Sequence, residues 1–492
     1  MSKFILLGLF FIFMVAVGIY SRKKVSNSND FLLGGRKVGP WFSAFSYGTT
    51  YFSAVIFIGY AGRIGWNFGI SATWIGIGNA VIGSLLAWLI MAKRTRQMTQ
   101  EMNASTMPEF FEKRYDSKPM KIITGAIIFI FLVPYTASVY QGLGYLFEQA
   151  FKVSYVYCML AMAVLTGIYL MLGGYIATAL NNFIQGIIML AGVIAMLYYI
   201  ISNPAVGGLG EGISRLASIN PDLTSPVGPS PINLLGLVTL TSLGSWGLPQ
   251  MVHKFYAIKD ESAIKKGTII STLFCLIIAG GAYFVGGFGR LFFQYNNTAV
   301  PGNSDMIMPM VLEWALPDAL FGLIIVLVLS ASMSTLSSLV LVSSSSVTID
   351  LLKSTVYQNM SKKTEMLLLR IFCVIFVIFS FIVAITPNAI LTLMSFSWGT
   401  ISGAFIGPFL YGLYWKGTTK AGAWAGIISG LICSLGGALL YGMNAGLAPN
   451  IGAVAMIVSL ITVPIVSAVT SKSTEVITSK TTAPVTETVR IE

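Results

Sequence analysis

Uncharged apolar runs of about twenty residues follow one another along the chain, separated by short segments that hold nearly all of its Lys, Arg, Asp and Glu. A helix rising about 1.5 Å per residue needs roughly 20 apolar residues to cross a bilayer core. The pattern predicts thirteen spans, at 4 to 20, 41 to 62, 69 to 93, 119 to 149, 153 to 172, 180 to 202, 232 to 256, 266 to 293, 319 to 347, 366 to 386, 388 to 414, 420 to 443 and 449 to 470. The ninth is unusual. "ASMSTLSSLVLVSSSS" (331–346) is crowded with hydroxyls that ordinarily mark a loop, yet "LFGLIIVLVLS" leads into it and the next charge is Asp350. These hydroxyls are therefore read as lying in a spanning helix.

Composition agrees. Of 492 residues, 55% are apolar and 10% charged, and the mean hydropathy is +0.80, so the chain is an integral membrane protein. A net charge of +12 would point to nucleic acid in a soluble protein, but here its distribution matters. An odd span count puts the termini on opposite sides. The segments 21–40, 93–121, 254–266, 353–370 and 416–420 and the tail from 471 carry 25 of the 30 Lys and Arg, against Lys3, Arg63, Lys152, Arg215 and Arg290 in the other set. Basic loops stay cytoplasmic, which predicts a multi-pass plasma-membrane protein with its N-terminus outside and its C-terminus inside. Lys254 falls on this map in a cytoplasmic segment, with His253 as its interfacial neighbour.

The apolar opening stretch precedes its basic cluster and has no small-residue cleavage site, so it reads as a retained first span. The 203–231 loop, rich in Gly, Pro and Ser, reads as an extracellular spacer, and the Thr-rich 471–492 as a disordered cytoplasmic tail. The four cysteines have neither ligand nor disulfide spacing.

All 18 acidic residues map to loops, the tail or span ends, which argues against a carboxylate relay through the membrane. No zinc spacing, nucleophile elbow or phosphate loop is present, so the chain reads as a non-enzyme without catalytic residues. Ala331, Ser334, Thr335 and Ser338 follow i, i+3, i+4, i+7 and share one helix face, with Ser337 beside them. Such a stripe suits an uncharged oxygen cage for a small hard cation, or close helix packing with hydroxyls bonded back to their own backbone. Two spans carry break signals: Gly48, Thr49 and Thr50 in the second, and Gly244, Gly247 and Pro249 in the seventh. Broken backbone at membrane depth survives where it lines a cavity or is buried in protein. Spans 2 and 7 lie five apart, as the first helices of two inverted five-helix repeats would.

"FLLGGRKVGPW", "GYAGRIGWNFG", "GLPQMVHKFYAIKD", "ASMSTLSS" and "GLYWKGTTKAGAWAG" together resemble the sodium:solute symporter family, whose members carry proline, pantothenate, sugars, sialic acid and other small solutes. The resemblance covers nearly the whole chain, with the span-7 sequence most similar to pantothenate carriers and Tyr51 standing where proline carriers have an aspartate. It implies an all-α membrane fold with a five-plus-five inverted-repeat (LeuT-type) core. The expected organisation is a first span and loop (1–40), one repeat (41–202), an extracellular loop (203–231), a second repeat (232–414), two further spans (415–470) and the tail.

Carried over by motif, the resemblance implies a main sodium site from the carbonyls of Thr49, Phe52 and Ala331 and the hydroxyls of Ser334 and Thr335. Some members hold a second sodium, for which Ser337 and Ser338 with Ser334 remain here, while Asn182 replaces the family's aspartate. Solute contacts are expected from Thr50, Ser53, Thr73, Trp74, Tyr140, Gln141, Thr241, Ser245, Trp246, Gly247 and Ser397. The implied function is sodium-coupled import of a small organic solute, of the pantothenate, amino acid, sugar or monocarboxylate class, by alternating access. The partners are the solute, sodium and the bilayer, without nucleic acid, and the chain is expected to work as a monomer. The alternatives are a channel or sensor on the same fold, or a proton-coupled carrier.

Overall fold

The computed structural model describes residues 2–22, 28–386, 389–442 and 444–470, without side chains for parts of 1–30 and 165–177. The expected tail lies outside the described residues. The protein is helical throughout: α1 (Ser2–Arg22), α2 (Pro40–Tyr51), a helical run Val55–Glu101 interrupted at Gly69, α3 (Lys118–Phe151), α4 (Tyr155–Ser202), α5 (Pro231–Leu243), α6 (Pro249–Tyr256), α7 (Glu261–Cys275), α8 (Asp318–Ser345), α9 (Lys362–Ile385), α10 (Ile390–Tyr414), α11 (Lys420–Tyr441) and α12 (Ala448–Thr470).

Among the described residues, nine runs are long and apolar enough to cross a membrane, so the count of thirteen is not established. One difference concerns α4. Its helical backbone continues from Tyr155 to Ser202, through the residues 173–179 where a turn between spans 5 and 6 is expected. No Pro and no charge occurs between 155 and 202, so nothing local stops the helix.

Burial sorts the helices. The apolar stretches of α8 and α10 are 83% and 94% buried inside the protein, against 28% for α11, which leaves α8 and α10 at the centre and α11 at the periphery. Close helix contact depends on small residues where side chains would hold backbones apart. A Cβ on Gly65 would collide with the Gly286 backbone and one on Gly286 with Ala61 O, while one on Gly76 would lie 2.6 Å from Gly280 N. The 55–101 run and the 276–286 segment therefore meet backbone to backbone. At the opposite end, Val38 pairs with the strand-like turn after α6: Val38 N donates to Ala257 O and Lys259 N to Val38 O, both at 3.1 Å.

Candidate functional site

The second span breaks one turn later than its glycine suggests. α2 is unbroken to Tyr51, Phe52 is extended (φ −116°, ψ 129°), and helix resumes near Val55. Gly48 is helical and leaves room for the Phe274 ring, with which an added Cβ would collide, and Thr49 Oγ1 bonds back to Phe45 O at 2.7 Å. The break frees carbonyls at the end of α2, as every helix terminus does. The amides four residues on are turned elsewhere: Ala54 N donates to Ser332 Oγ at 2.9 Å and Ile56 N to Ser53 O at 3.1 Å. Thr50 O and Phe52 O thus lose their usual helical donors.

α8 crosses at this point. Thr335 Oγ1 lies 3.1 Å from Thr50 O, 3.2 Å from Ala331 O and 3.4 Å from both Thr49 O and Phe52 O. Ser334 Oγ donates to Thr49 Oγ1 at 2.7 Å. One hydroxyl proton serves one acceptor, so four carbonyls around Thr335 form a cluster of negative dipoles out of water, an arrangement a small cation satisfies. All five residues expected at the main sodium site meet here, and all are buried.

A second hydroxyl group lies one turn along α8. Ser338 Oγ is 2.8 Å from Lys254 Nζ, 3.0 Å from Thr50 Oγ1 and 3.1 Å from Ser334 O. Ser337 Oγ instead donates to Met333 O of its own helix at 2.5 Å. Asn182 Nδ2 donates to Ser46 Oγ at 2.9 Å, one turn before Thr50, and its buried Oδ1 has no partner among the described residues. Lys254 is not in a cytoplasmic loop: it is 2% exposed, with His253 also buried. Further on, Ser344, Ser345 and Ser346 bond back to carbonyls of α8.

Between the breaks in spans 2 and 7 sits a small cavity of about 20 Å³, room for little more than one water, lined by Tyr51, Phe52, Ser53, Asn79, Thr241 and Trp398 together with Val55, Ile56, Tyr60, Tyr135, Tyr283 and Met394. No charged side chain lines it. Tyr51 stacks on Phe52 with ring centres 4.6 Å apart, and Tyr135 meets Trp398 edge-on at 5.7 Å. Tyr51 donates to Thr241 O at 2.6 Å and so ties the two broken spans together. Tyr60 and Ser395 hydroxyls, 3.1 Å apart, close one side.

A broken span 2 crossed by a hydroxyl-bearing helix, beside an uncharged cavity, has the layout of ion-coupled carriers. The sequence profile of the sodium:solute symporter family matches residues 31–430. The chain belongs to this family. It is 31% identical over 460 residues to the osmoregulated proline transporter of Bacillus subtilis, covering 92% of this chain and 91% of that one. It is 30% identical over 443 residues to a sodium/proline symporter of Staphylococcus aureus, covering 88% and 85%. Its fold is similar to that of a sodium-coupled sialic acid symporter solved substrate-bound and outward-open, with a TM-score of 0.78, 20% identity, and 94% and 98% coverage. A nucleobase-cation-symport carrier solved in a closed conformation is more distant, at TM-score 0.51 and 15% identity, covering 90% and 95%. The fold is thus the inverted-repeat, LeuT-type core, and the chain is a membrane-embedded, sodium-coupled symporter rather than an enzyme.

Within this family fold the expected solute residues part company. Ser53 and Thr241 line the cavity. Thr50 faces Ser338, and Ser397 donates to Phe131 O at 2.6 Å. Gln141 donates to Ala384 O and Thr386 O at the end of α9, with Tyr140 buried beside it in α3. Thr73 and Trp74 stand at the start of their helix, where the half-exposed Trp74 donates to Pro226 O in the 203–231 loop. Ser245 and Trp246 donate to Gly83 O and Ile82 O, packing the span-7 break against span 3. Gly247 approaches Ser402 of α10, where an added Cβ would lie 2.8 Å from the Ser402 Cα. The residues that sequence reasoning misses are the aromatic ones and Val55, Ile56 and Met394, together with Asn79, which stands about one and a half helical turns beyond Thr73 and Trp74 in span 3.

Proposed function

We propose that this symporter carries a small zwitterionic amino acid, with proline the first candidate, inward with sodium. The observation that carries the reading is the convergence of four carbonyls on Thr335 beside an uncharged, aromatic cavity. Such a lining suits a solute with no net charge. The ammonium of an amino acid is attracted to Tyr and Trp faces, and its carboxylate to the bound cation. The proline transport named for two relatives supports the same class. In this reading Thr49, Phe52, Ala331, Ser334 and Thr335 hold the sodium, and 41–202 and 232–414 are the two repeats. The N-terminus lies outside, and the C-terminus lies in the cytoplasm.

Uptake of radiolabelled proline into proteoliposomes tests this. Accumulation driven by an inward sodium gradient, abolished when potassium replaces sodium, is the expected result. If proline is not accumulated, while pantothenate, a sugar or a monocarboxylate is under the same gradient, the amino acid assignment fails and the sodium-coupled reading stands.

A further inference from the structure

We infer that the Lys254 side chain is a tethered cation that fills the position of a second sodium, so that the protein carries one sodium per cycle. The inference rests on the sodium-symport reading and goes beyond it to stoichiometry. Ser338 is the hydroxyl a second ion would need. A hydroxyl offers one proton and two lone pairs, and Ser338 Oγ already has three partners: Lys254 Nζ at 2.8 Å, Thr50 Oγ1 at 3.0 Å and Ser334 O at 3.1 Å. With its proton on Ser334 O, one lone pair of Ser338 takes the Lys254 ammonium and the other faces Thr50 Oγ1, so an ion there has to displace one of them. Ser337 Oγ is turned back to Met333 O of its own helix.

The neighbouring charges point the same way. An ion-binding carboxylate would attract both a sodium and the lysine, and the chain has Asn182 instead, with its amide nitrogen held by Ser46 Oγ at 2.9 Å. In its protonated form Lys254, within hydrogen-bond distance of Ser338, repels a second cation, and in a buried site the repulsion is weakly screened. Lys254 belongs to α6, the half-helix after the break in span 7, whereas Ser338 and Thr50 belong to α8 and α2. A mobile ion is thereby exchanged for a cation fixed to the second repeat. Being part of the chain, it is never released to the cytoplasm.

Sodium binding to the purified full chain, counted with radioactive sodium by equilibrium dialysis at constant ionic strength, tests this. The expected count is one saturable ion for the unmodified chain and for Lys254→Arg. Lys254→Ala combined with Asn182→Asp is expected to bind two. Two ions on the unmodified chain, or one on a monodisperse double variant, overturns the inference. Should the double variant not fold, Ser338→Ala decides: a count of one, with affinity changed by less than about threefold, supports the inference, and a lost ion overturns it. No saturable sodium on the unmodified chain would overturn the symport reading itself, and the stoichiometry with it.

Discussion

At the scale of single residues, Thr335 is the side chain around which the carbonyls of α2 and α8 gather. Thr335→Ala is expected to raise the sodium concentration for half-maximal uptake at least tenfold, about 1.4 kcal/mol, with protein abundance unchanged. Thr335→Ser keeps the oxygen and is expected to stay within about threefold, as the sodium dependence of initial uptake rates will show. In the proposed reading Tyr51 acts on the solute. Because its hydroxyl joins Thr241 O across the cavity, Tyr51→Phe is expected to raise the solute KM about tenfold while the sodium requirement moves little. The two kinds of residue differ in how they can be read. The proposed ion ligands on α8 share one turn and their spacing announces them, whereas Tyr51, Asn79, Tyr135, Tyr283 and Trp398 come from distant segments that no periodicity connects. Lys254 was misplaced for the same reason: a charge at a span end looks solvated until its partner, 84 positions along the chain, is known.

At the scale of elements, the two broken spans use their small residues differently from the usual glycine turn. Gly247 keeps a negative φ of −99° and is required where α10 passes, with Ser402 Oγ donating to Gly244 O at 2.6 Å. Gly247→Leu is expected to abolish uptake while the protein remains folded in the membrane, measured as transport against abundance. Wild-type transport by this variant would mean that α10 and the span-7 break need not touch. The break in span 7 was legible because Pro249 fits the first position of a helix and no interior one. The break in span 2 was legible only to within a turn, because Ser53, whose Oγ accepts from Val55 N at 3.3 Å, is one hydroxyl among several in this stretch, and Ala54 N turns to Ser332 on α8, a partner distant in sequence. The uninterrupted α4 was illegible in the opposite sense, since the hydropathy dip at Gly173 and Gly174 resembles a turn without requiring one.

At the scale of the whole molecule, Arg36 fastens the end of the bundle where the Val38 segment meets the segment after α6. Its guanidinium donates to Ala104 O at 2.6 Å, and to Thr99 Oγ1 and Tyr256 O at 3.3 Å each. Removing those bonds with Arg36→Ala is expected to speed amide hydrogen exchange about tenfold in residues 99–104 and 256–259, with helices at the other end unaffected. Uniform exchange changes would instead mean that Arg36 supports the fold at large. The glycine contacts between the Val55–Glu101 run and the 276–286 segment have a different consequence. Side chains between two helices act as bearings, letting one slide or roll as rotamers change, and backbones in direct contact have no such play. An added methyl at any of these glycines would therefore act as a wedge, driving apart two segments that between them carry Tyr60, Asn79 and Tyr283 of the cavity wall.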